Sequence, residues 1–288
     1  MIINEEGTYT LRYTATDSCG KTTEVERELV VADNSPRRTV LYTDGTFIIN
    51  EKQTDEARNT ALHGAATNVY DPMLEDGSNY VFSTISDIPW RSVQQSVTSV
   101  QIGSEIHPSS VYLWFDGFVN CKTLYLRNLN TERITNFGNL FSSCIIAETI
   151  DVSNFNTGNA TSMASMFYGC AALETVDLSN FDTRNVYNFT SMFENCSSME
   201  TIDISSFSSQ SISQSITMFS GCTNLETIFA TSLFDTSGIT ESLTRNMFNN
   251  DEKLVGGSGT DFASTRKWGT YGRIDNPPDA PGYFTAKS

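Results

Sequence analysis

Histidine is almost missing from this sequence, which has two, His63 and His107, among 288 residues. Neither lies in a recognisable catalytic signature, and the six cysteines include no Cys-x-x-Cys pair. Nucleophilic catalysis needs a base that a third group orients, and zinc sites need clustered histidine or cysteine ligands. We therefore predict that the protein is not an enzyme, and the sequence indicates no catalytic residue and no histidine-based metal site.

Basic residues are scarce as well. Lysine and arginine number 18 against 34 aspartate and glutamate residues, which gives a formal net charge of −16. Nucleic acid and anionic lipid bind clustered basic side chains, so we expect neither as a partner. No apolar run approaches the roughly 18 to 20 residues of a membrane span, so we expect no membrane insertion. The N-terminal segment MIINEEGTYT shows no secretory signal as written.

What the sequence does contain is a repeat. Five cysteines recur from residue 121 onward, evenly spaced except for a first interval that is shorter by three positions: Cys121, Cys144, Cys170, Cys196 and Cys222. A phenylalanine stands three positions before each of them, and a sixth phenylalanine precedes Asp251 in the same way: Phe118, Phe141, Phe167, Phe193, Phe219 and Phe248. Such regular spacing indicates stacked structural repeats, with like side chains above one another in ladders. We attribute the short first interval to a deletion just after Cys121.

One repeat unit runs CAALETVDLSNFDTRNVYNFTSMFEN, from Cys170 to Asn195. Its first half has the L-x-x-L-x-L-x-x-F pattern of a leucine-rich-repeat strand and the turn after it. Apolar residues in its second half follow steps of three, three, one and three, which favour one or two helical turns. The predicted fold class is an α/β repeat solenoid, leucine-rich-repeat-like, with an α/β N-terminal cap and a short N-terminal β-hairpin.

The repeat resembles the DUF285-type repeat of BspA-like leucine-rich repeat surface proteins. That family occurs on bacterial surfaces and in tailed-phage virion proteins. The resemblance extends to flanking segments such as LYTDGTFIINE and RIDNPPDAPGYFT, and it covers residues 36–288. It implies an architecture rather than a reaction.

Four regions follow from these patterns: a hairpin (1–33), a lead-in cap (36–117), the repeats (118–251) and a C-terminal cap (252–288). The segment NSPRR (34–38) is the predicted linker. The hairpin alternates apolar and polar residues and resembles the last two strands of a bacterial Ig-like domain. Because a lone hairpin is marginal in water, we expect its apolar residues to anchor the protein to a partner: Tyr9, Leu11, Tyr13, Val25, Leu29 and Val31.

The repeated cysteines are predicted to be unpaired, filling a small apolar slot in each coil. Disulfides between adjacent coils and metal binding are the alternatives. Cys19 lies in the predicted hairpin turn, where we expect it to be the most reactive thiol. Unpaired thiols fit folding in a reducing cytoplasm.

The outward face of the strands carries the candidate binding residues. One column is all threonine: Thr123, Thr149, Thr175, Thr201 and Thr227. The next is the candidate binding face: Tyr125, Asp151, Asp177, Asp203 and Phe229. A solvated acidic face is one interpretation of the aspartates, and protein or glycan binding between two aromatic platforms is another. A Ca²⁺ ladder is the third, since carboxylates about 5 Å apart repel one another and a cation relieves this. No other cofactor is indicated.

These observations favour a non-enzymatic, exposed structural or adhesive protein of a phage virion, such as a head fibre, decoration protein or receptor-binding protein. We expect assembly in the host cytoplasm, attachment to capsid or tail proteins through the N-terminus, and recognition of a bacterial surface protein or glycan through the repeats. We also expect a homo-oligomer, with a trimer as the first candidate. The alternative is a fragment of a bacterial cell-surface adhesin, because such proteins often place Ig-like modules before their repeats.

Overall fold

The chain divides into two compact units, Met1–Pro36 and Arg37–Ser288, with the boundary inside the predicted linker. The structure is a computed structural model. It describes residues 7–16, 22–31, 37–52, 56–70, 89–103, 105–276 and 278–287.

The first unit is a two-stranded antiparallel sheet. Its strands are β1 (Gly7–Thr16) and β2 (Thr22–Val31). The backbone register pairs Tyr9 with Leu29 and Tyr13 with Val25. The side chains at the six predicted anchoring positions, like Cys19, lie outside what the structure describes, so the Ig-like character and the anchoring role stay predictions.

The second unit begins with a six-stranded sheet that joins the cap to the first repeats. Its strands are β3 (Arg37–Tyr42), β4 (Thr46–Lys52), β5 (Ala66–Tyr70), β6 (Ser99–Ile102), β7 (Thr123–Tyr125) and β8 (Thr149–Ile150). The order is β5-β3-β4-β6-β7-β8. Strand β3 is antiparallel to both of its neighbours, whereas β4, β6, β7 and β8 run parallel. The cap therefore supplies the strands on which the first coils pair.

Between β4 and β5 the chain forms α1 (Glu56–His63), the one α-helix within the described ranges. A 3-10 helix over Arg91–Ser96 precedes β6. The indole N–H of Trp90 donates to the carbonyl of Trp114 at 3.1 Å, and both rings are fully buried. Cap and repeats thus share one continuous hydrophobic core.

A second sheet closes the far end of the repeats. It contains β9 (Thr201–Asp203), β10 (Thr227–Ala230) and β11 (Phe284–Ala286), all parallel, in the order β11-β10-β9. Strand β11 comes from the C-terminal segment and covers the edge of β10 that the next coil would otherwise occupy. Buried Tyr283 and Phe284 anchor it in the core, which protects the edge from pairing with other chains.

The strand ladder is interrupted between these sheets. In the described stretch 105–276, residues 174–177 form no strand and no backbone hydrogen bond to either neighbouring coil. A cavity of about 290 Å³ lies here, lined by Glu174, Thr175, Ser198, Glu200 and Thr201. The coil nevertheless stays in register, because its second half bonds to both neighbours.

The second half of each coil is built from turns instead of the predicted helical turns. Alternate backbone N–H groups donate to the next coil: those of Met163, Ser165 and Phe167 reach carbonyls of the coil that follows at 2.8 to 3.0 Å. The N–H groups of Met166 and Tyr168 close turns onto the carbonyls three residues back, each at 3.2 Å. A helix would send every N–H along its own axis. Sharing the donors between the coil and its neighbour is what allows the coils to stack.

Two columns of left-handed residues mark this turn geometry. The first contains Leu113, Asn139, Ser165, Ser191, Thr217 and Asn246, with φ between 53° and 65°. The second contains Gly117, Ser143, Gly169, Asn195, Gly221 and Asn250, with φ between 60° and 78°. Most members are glycine, asparagine or serine, and Gly and Asn tolerate this region best. The same backbone turn therefore recurs from residue 113 onward, upstream of the predicted boundary at residue 118.

The aromatic ladder also begins earlier than predicted. Phe115, not Phe118, stacks on Phe141, with ring centroids 5.8 Å apart and planes 11° from parallel. The column continues through Phe167, Phe193, Phe219 and Phe248 at 5.5 to 5.9 Å. Stacked aromatic pairs contribute about 0.5 to 1.5 kcal/mol each beyond burial.

This register corrects the predicted deletion after Cys121. The interval from Phe115 to Phe141 equals the regular interval of the later coils, and Thr123, one such interval before Thr149, pairs with it directly. The position equivalent to Cys144 is therefore held by Phe118, whose ring meets Phe115 edge-on at 5.8 Å. Cys121 stands outside the column because the short cysteine spacing was not the repeat spacing.

Candidate functional site

The predicted binding face lies on the outer side of the strands. Inward residues such as Leu124, Ile150 and Ile202 are buried, and the residues between them are exposed or half-buried. The threonine column pairs in register at both ends, Thr123 with Thr149 and Thr201 with Thr227. The aspartate column lies two residues further along the same face.

Each aspartate of this face closes the turn that follows it. The Oδ1 atoms of Asp151, Asp177 and Asp203 accept the backbone N–H two residues later at 3.0 to 3.1 Å. The hydroxyl and backbone N–H of Ser153 lower the pKa of Asp151. Contacts with the side chain and N–H of Ser179 likewise lower that of Asp177. The repeated aspartate therefore has a structural reason: it is the acceptor of an Asx turn.

A cation stands at each end of the aspartate column. Arg127 Nε lies 4.0 Å from Asp151 Oδ2, and Lys287 Nζ pairs with Asp203 Oδ2. Partial burial raises the pKa of Asp203, but the hydrogen bonds from Lys287 and Ser205 outweigh this and lower it overall. The repulsion between the three carboxylates is thus relieved from both ends by the chain's own side chains.

The described residues contain no group of three or more histidine, cysteine, aspartate or glutamate side chains placed to hold a metal ion. The Ca²⁺ ladder on the aspartate column stays a prediction. It would have to compete with the turn N–H groups and the two cations for the same carboxylate oxygens.

The two predicted aromatic platforms differ. Tyr125 is 53% exposed, and its backbone pairs in register with Gln101 of β6. Phe229 is less exposed than Tyr125: it is half-buried, and its backbone pairs with Thr285 of β11, which covers that edge of the sheet. The candidate face therefore has one open aromatic end, at the first coil.

The five repeat cysteines are free and buried. The thiols of Cys144, Cys170, Cys196 and Cys222 each donate to the carbonyl of the phenylalanine 29 residues earlier, at 3.0 to 3.3 Å. Cys121 instead reaches the carbonyl of Thr123 in its own coil at 3.4 Å. Burial raises the pKa of Cys121 and of Cys196 to about 12. The last four thiols link coil to coil as weak donors, and burial leaves none of the five poised to react.

An asparagine ladder escaped the sequence analysis. The amide of Asn154 donates to three carbonyls of the preceding coil, those of Leu126, Arg127 and Leu129, at 3.1 to 3.3 Å. The amide of Asn180 does the same one coil later. The motif N-[LF]-[ND]-T at 128–131, 154–157 and 180–183 is the signal that could have revealed it.

The last residue of that motif forms a further ladder, and this one is buried. Thr131, Thr157 and Thr183 are each 1% exposed. Their hydroxyls donate to a carbonyl 25 residues further along at 3.0 to 3.2 Å and accept the N–H of that same residue. Each turn is thereby held to the next coil by one side chain that satisfies both backbone groups.

Both histidines contact carboxylates. His63 Nδ1 lies 2.9 Å from Asp44 Oδ2 and 3.2 Å from Thr46 Oγ1, which ties the end of α1 to the β3–β4 turn. His107 Nε2 lies 3.4 Å from Glu105 Oε1. Both pairs are accounted for by local structure.

Comparison with known proteins matches the coils described above. Residues 110–232 match the family described as Mycoplasma protein of unknown function, DUF285. The match covers less than half of the chain, and it supports the resemblance to the BspA-like repeat family. It starts close to Leu113, where the repeated turn geometry begins. No match was found among curated proteins or among solved structures.

The same comparison leaves the phage and Ig-like parts of the resemblance as predictions. None of the helices in the described ranges is long and apolar enough to cross a membrane.

Proposed function

We propose that this chain is a surface-exposed, non-enzymatic repeat protein, and that the surface is the exterior of a phage virion. The observation that carries the proposal is the DUF285 match over residues 110–232, together with the stacked coils it covers. The coils bury phenylalanine, cysteine and threonine ladders for stability and leave the strand face to solvent. Such a division suits a display scaffold, since the exposed residues can vary without loss of the fold.

The choice of a virion rests on the thiols. Five free cysteines are buried at the coil junctions, each with a carbonyl partner. Proteins that fold in an oxidising compartment tend to use cysteine in disulfides, whereas virion proteins are assembled in a reducing cytoplasm. The thiol chemistry therefore favours cytoplasmic assembly over secretion.

The test is to purify virions from the source of the gene and search them for this chain by peptide mass spectrometry. Antibody-gold labelling of intact particles should then place it on the outside. We expect a constant number of copies per particle. Absence of the chain from gradient-purified particles would overturn the virion proposal.

The alternative is a fragment of a bacterial cell-surface adhesin, which the family description favours because it names a bacterium. Reading the gene upstream of Met1 separates the two. An in-frame Ig-like module or a secretory signal there, with surface-protein genes nearby, would favour the adhesin. Neighbouring capsid and tail genes would favour the virion.

We further propose that the hairpin formed by β1 and β2 attaches the protein to capsid or tail proteins or to sister subunits, in a homo-oligomer for which a trimer is the first candidate. It is a two-stranded sheet in a compact unit of its own, and unpaired strand edges invite another strand. Deleting residues 1–33 should lower the light-scattering mass and abolish incorporation into particles. An unchanged mass together with normal incorporation would place the anchor elsewhere.

A further inference from the structure

A polar pocket lies where the first coil meets the second, at the open aromatic end of the strand face. Its volume is about 270 Å³. It is lined by Glu105, Arg127, Asn128, Leu129, Asn130, Thr131, Glu132, Asn154 and Asn156. Tyr125 stands two residues before Arg127 on the same outward side of the chain, with buried Leu126 between them. The pocket is therefore lined by charged and amide groups, and exposed Tyr125 lies two residues before its Arg127 along the chain.

Two asparagine side chains of the pocket are only half used by the fold. Asn130 Oδ1 accepts the N–H of Glu132 at 3.0 Å, and Asn156 Oδ1 accepts the N–H of Gly158 at 3.1 Å. Within the described part of the chain, neither Nδ2 donates a hydrogen bond. Asn128 and Asn154, in contrast, use their Nδ2 in the asparagine ladder. The pocket thus offers two fixed amide donors whose orientation is set by their turns.

The remaining groups define the chemistry of a ligand. Arg127 is 86% exposed and supplies further donors, while Glu105 and Glu132 supply acceptors. Two carboxylates against one guanidinium disfavour a phosphate or other anion. The lining is too polar for an apolar ligand, whose pockets are lined mainly by hydrophobic side chains. Amide and guanidinium donors together with carboxylate acceptors match the hydroxyl groups of an uncharged sugar, which donate and accept hydrogen bonds.

The next coil does not repeat the polar groups of this pocket. At the equivalent positions of that coil, Ser153 replaces Arg127 and Gly158 replaces Glu132. Asn156 is replaced by Asp182, whose carboxylate is paired with Arg184 at 2.6 Å. The donors and acceptors that distinguish the first pocket are thus missing or already paired one coil further on. This set of polar groups therefore belongs to one coil and is not a general property of the repeat.

We propose that this pocket is a carbohydrate subsite that binds an uncharged sugar residue of a surface glycan. The proposal rests on the proposed function and names the recognition site that it leaves open. According to this proposal, the residues that recognise the ligand are Tyr125, Arg127, Asn130 and Asn156, and the aspartate column takes no part in binding. The aspartates then serve the fold, as acceptors of the turns.

A conservative variant tests this directly. Asn156→Asp keeps the oxygen that caps the turn and removes the Nδ2 donor. The fold already accepts aspartate at this position, since Asp182 Oδ1 accepts the N–H of Arg184 at 3.2 Å one coil later. The matched control is Asp182→Asn, the reverse exchange at the equivalent position outside the pocket. Thermal unfolding of both variants should be close to that of the wild type.

The probe is a glycan array of neutral and sialylated oligosaccharides, followed by calorimetric titration of the best neutral binder. We expect a neutral glycan to bind the full-length wild type, with its association constant lowered at least tenfold by Asn156→Asp and by Arg127→Ala. Asp182→Asn should leave it within twofold. Absence of glycan binding, preference for sialylated glycans, or equal binding by the wild type and Asn156→Asp would each overturn the proposal.

This outcome is separable from the virion proposal. If particles carry the chain but the array is blank, the carbohydrate subsite fails and the virion role stands. If the array is positive and purified particles lack the chain, the subsite stands and the virion role fails.

Discussion

Cys222 and Asp251 occupy the same position in two successive coils, three residues after stacked Phe219 and Phe248, and they show how the middle of the array differs from its end. The thiol of Cys222 donates to the carbonyl of Phe193 in the coil before it at 3.0 Å. Asp251 instead accepts the N–H of Cys222 through Oδ1 at 3.0 Å. In the middle, a thiol donates to a backbone carbonyl of the coil before it; at the end, the carboxyl group of Asp251 accepts a backbone N–H of the coil before it.

The difference has an energetic side. Burial raises the pKa of Asp251 to about 9, against the lowering effect of hydrogen bonds from Cys222 and Gly221. Its Oδ2 has no hydrogen-bond partner in the described part of the chain. Cysteine at this position is buried at little cost in free energy because the thiol is neutral. Asp251, at the terminal position, is a buried carboxyl group that stays protonated at neutral pH. Repetition therefore stabilises the middle, and the end is the place where stability can be gained.

The largest effect is expected in the middle of the array. Phe193 is fully buried and stacks on Phe167 and Phe219 at 5.5 and 5.9 Å. Phe193→Ala should cost about 3 to 5 kcal/mol of unfolding free energy, measured by chemical denaturation, because it leaves a cavity between two coils. Tyr187→Ala, at a 46% exposed position, is the control and should cost less than about 0.5 kcal/mol. Similar losses for both would mean that the stacked column does not carry the stability.

At the end of the array, Asp251→Asn should stabilise the protein in a pH-dependent way. Between the unfolded value of 3.8 and the folded pKa of about 9, the folded state holds a proton that the unfolded state has lost. Stability of the wild type therefore falls as the pH rises through this window, and the group has no effect below about pH 4. Asparagine does not titrate. The unfolding free energy of the variant minus that of the wild type should therefore be about 1 to 3 kcal/mol larger at pH 8 than at pH 4.

Urea denaturation of the two proteins across this pH range measures the difference. Asp251→Cys continues the cysteine column and serves as a second non-carboxylate variant. A stability difference that does not change with pH would contradict the assignment of a buried, protonated Asp251.

The asparagine ladder should contribute less than the aromatic one. The Asn180 amide donates to the carbonyls of Val152, Ser153 and Phe155 at 3.4, 2.9 and 2.8 Å. Asn180→Ala leaves these acceptors without that donor and should cost about 1 to 3 kcal/mol, measured by thermal and chemical denaturation. Asn185→Ala removes one bond, to the exposed carbonyl of Gly158, and should cost about 0.5 kcal/mol. An equal cost for both would show that the ladder has no special weight.

The thiols should show the smallest response of all. The five repeat cysteines are buried, and the pKa of Cys196 is about 12, so little thiolate forms at pH 8. We expect these five to resist a maleimide reagent in the native protein and all six cysteines to react after unfolding without reductant. Peptide mapping identifies the labelled positions. Two or more disulfides would instead point to an oxidising compartment and favour the adhesin.

Sequence reasoning succeeded where a side chain repeats at a constant interval. The threonine register, the phenylalanine column from Phe141 to Phe248 and the burial of the repeat cysteines all follow from the repeat spacing, which is constant until it lengthens at its last step. Sequence reasoning failed at the first coil. Aligning Cys121 with Cys144 gave a repeat register that Phe115 and Thr123 do not follow. The segment WFDGF contains two phenylalanines, Phe115 and Phe118, and either could be assigned to the stacked column. Cys121 favoured Phe118 because it lies three residues later, whereas the regular aromatic spacing belongs to Phe115.

By itself, the sequence determined the repeat period, the residues that face the core and the phenylalanine and cysteine columns, because these depend on side-chain type and spacing alone. Tertiary structure decided the rest. Whether an N–H bonds within its coil or to the next coil depends on the neighbour's position, so turns replaced the predicted helical turns. The edge of β10 is covered by β11, which is distant from it along the chain, and no local pattern announces such a partner. The pocket at Asn156 exists because residues from three separate stretches meet there, and only stacking brings them together.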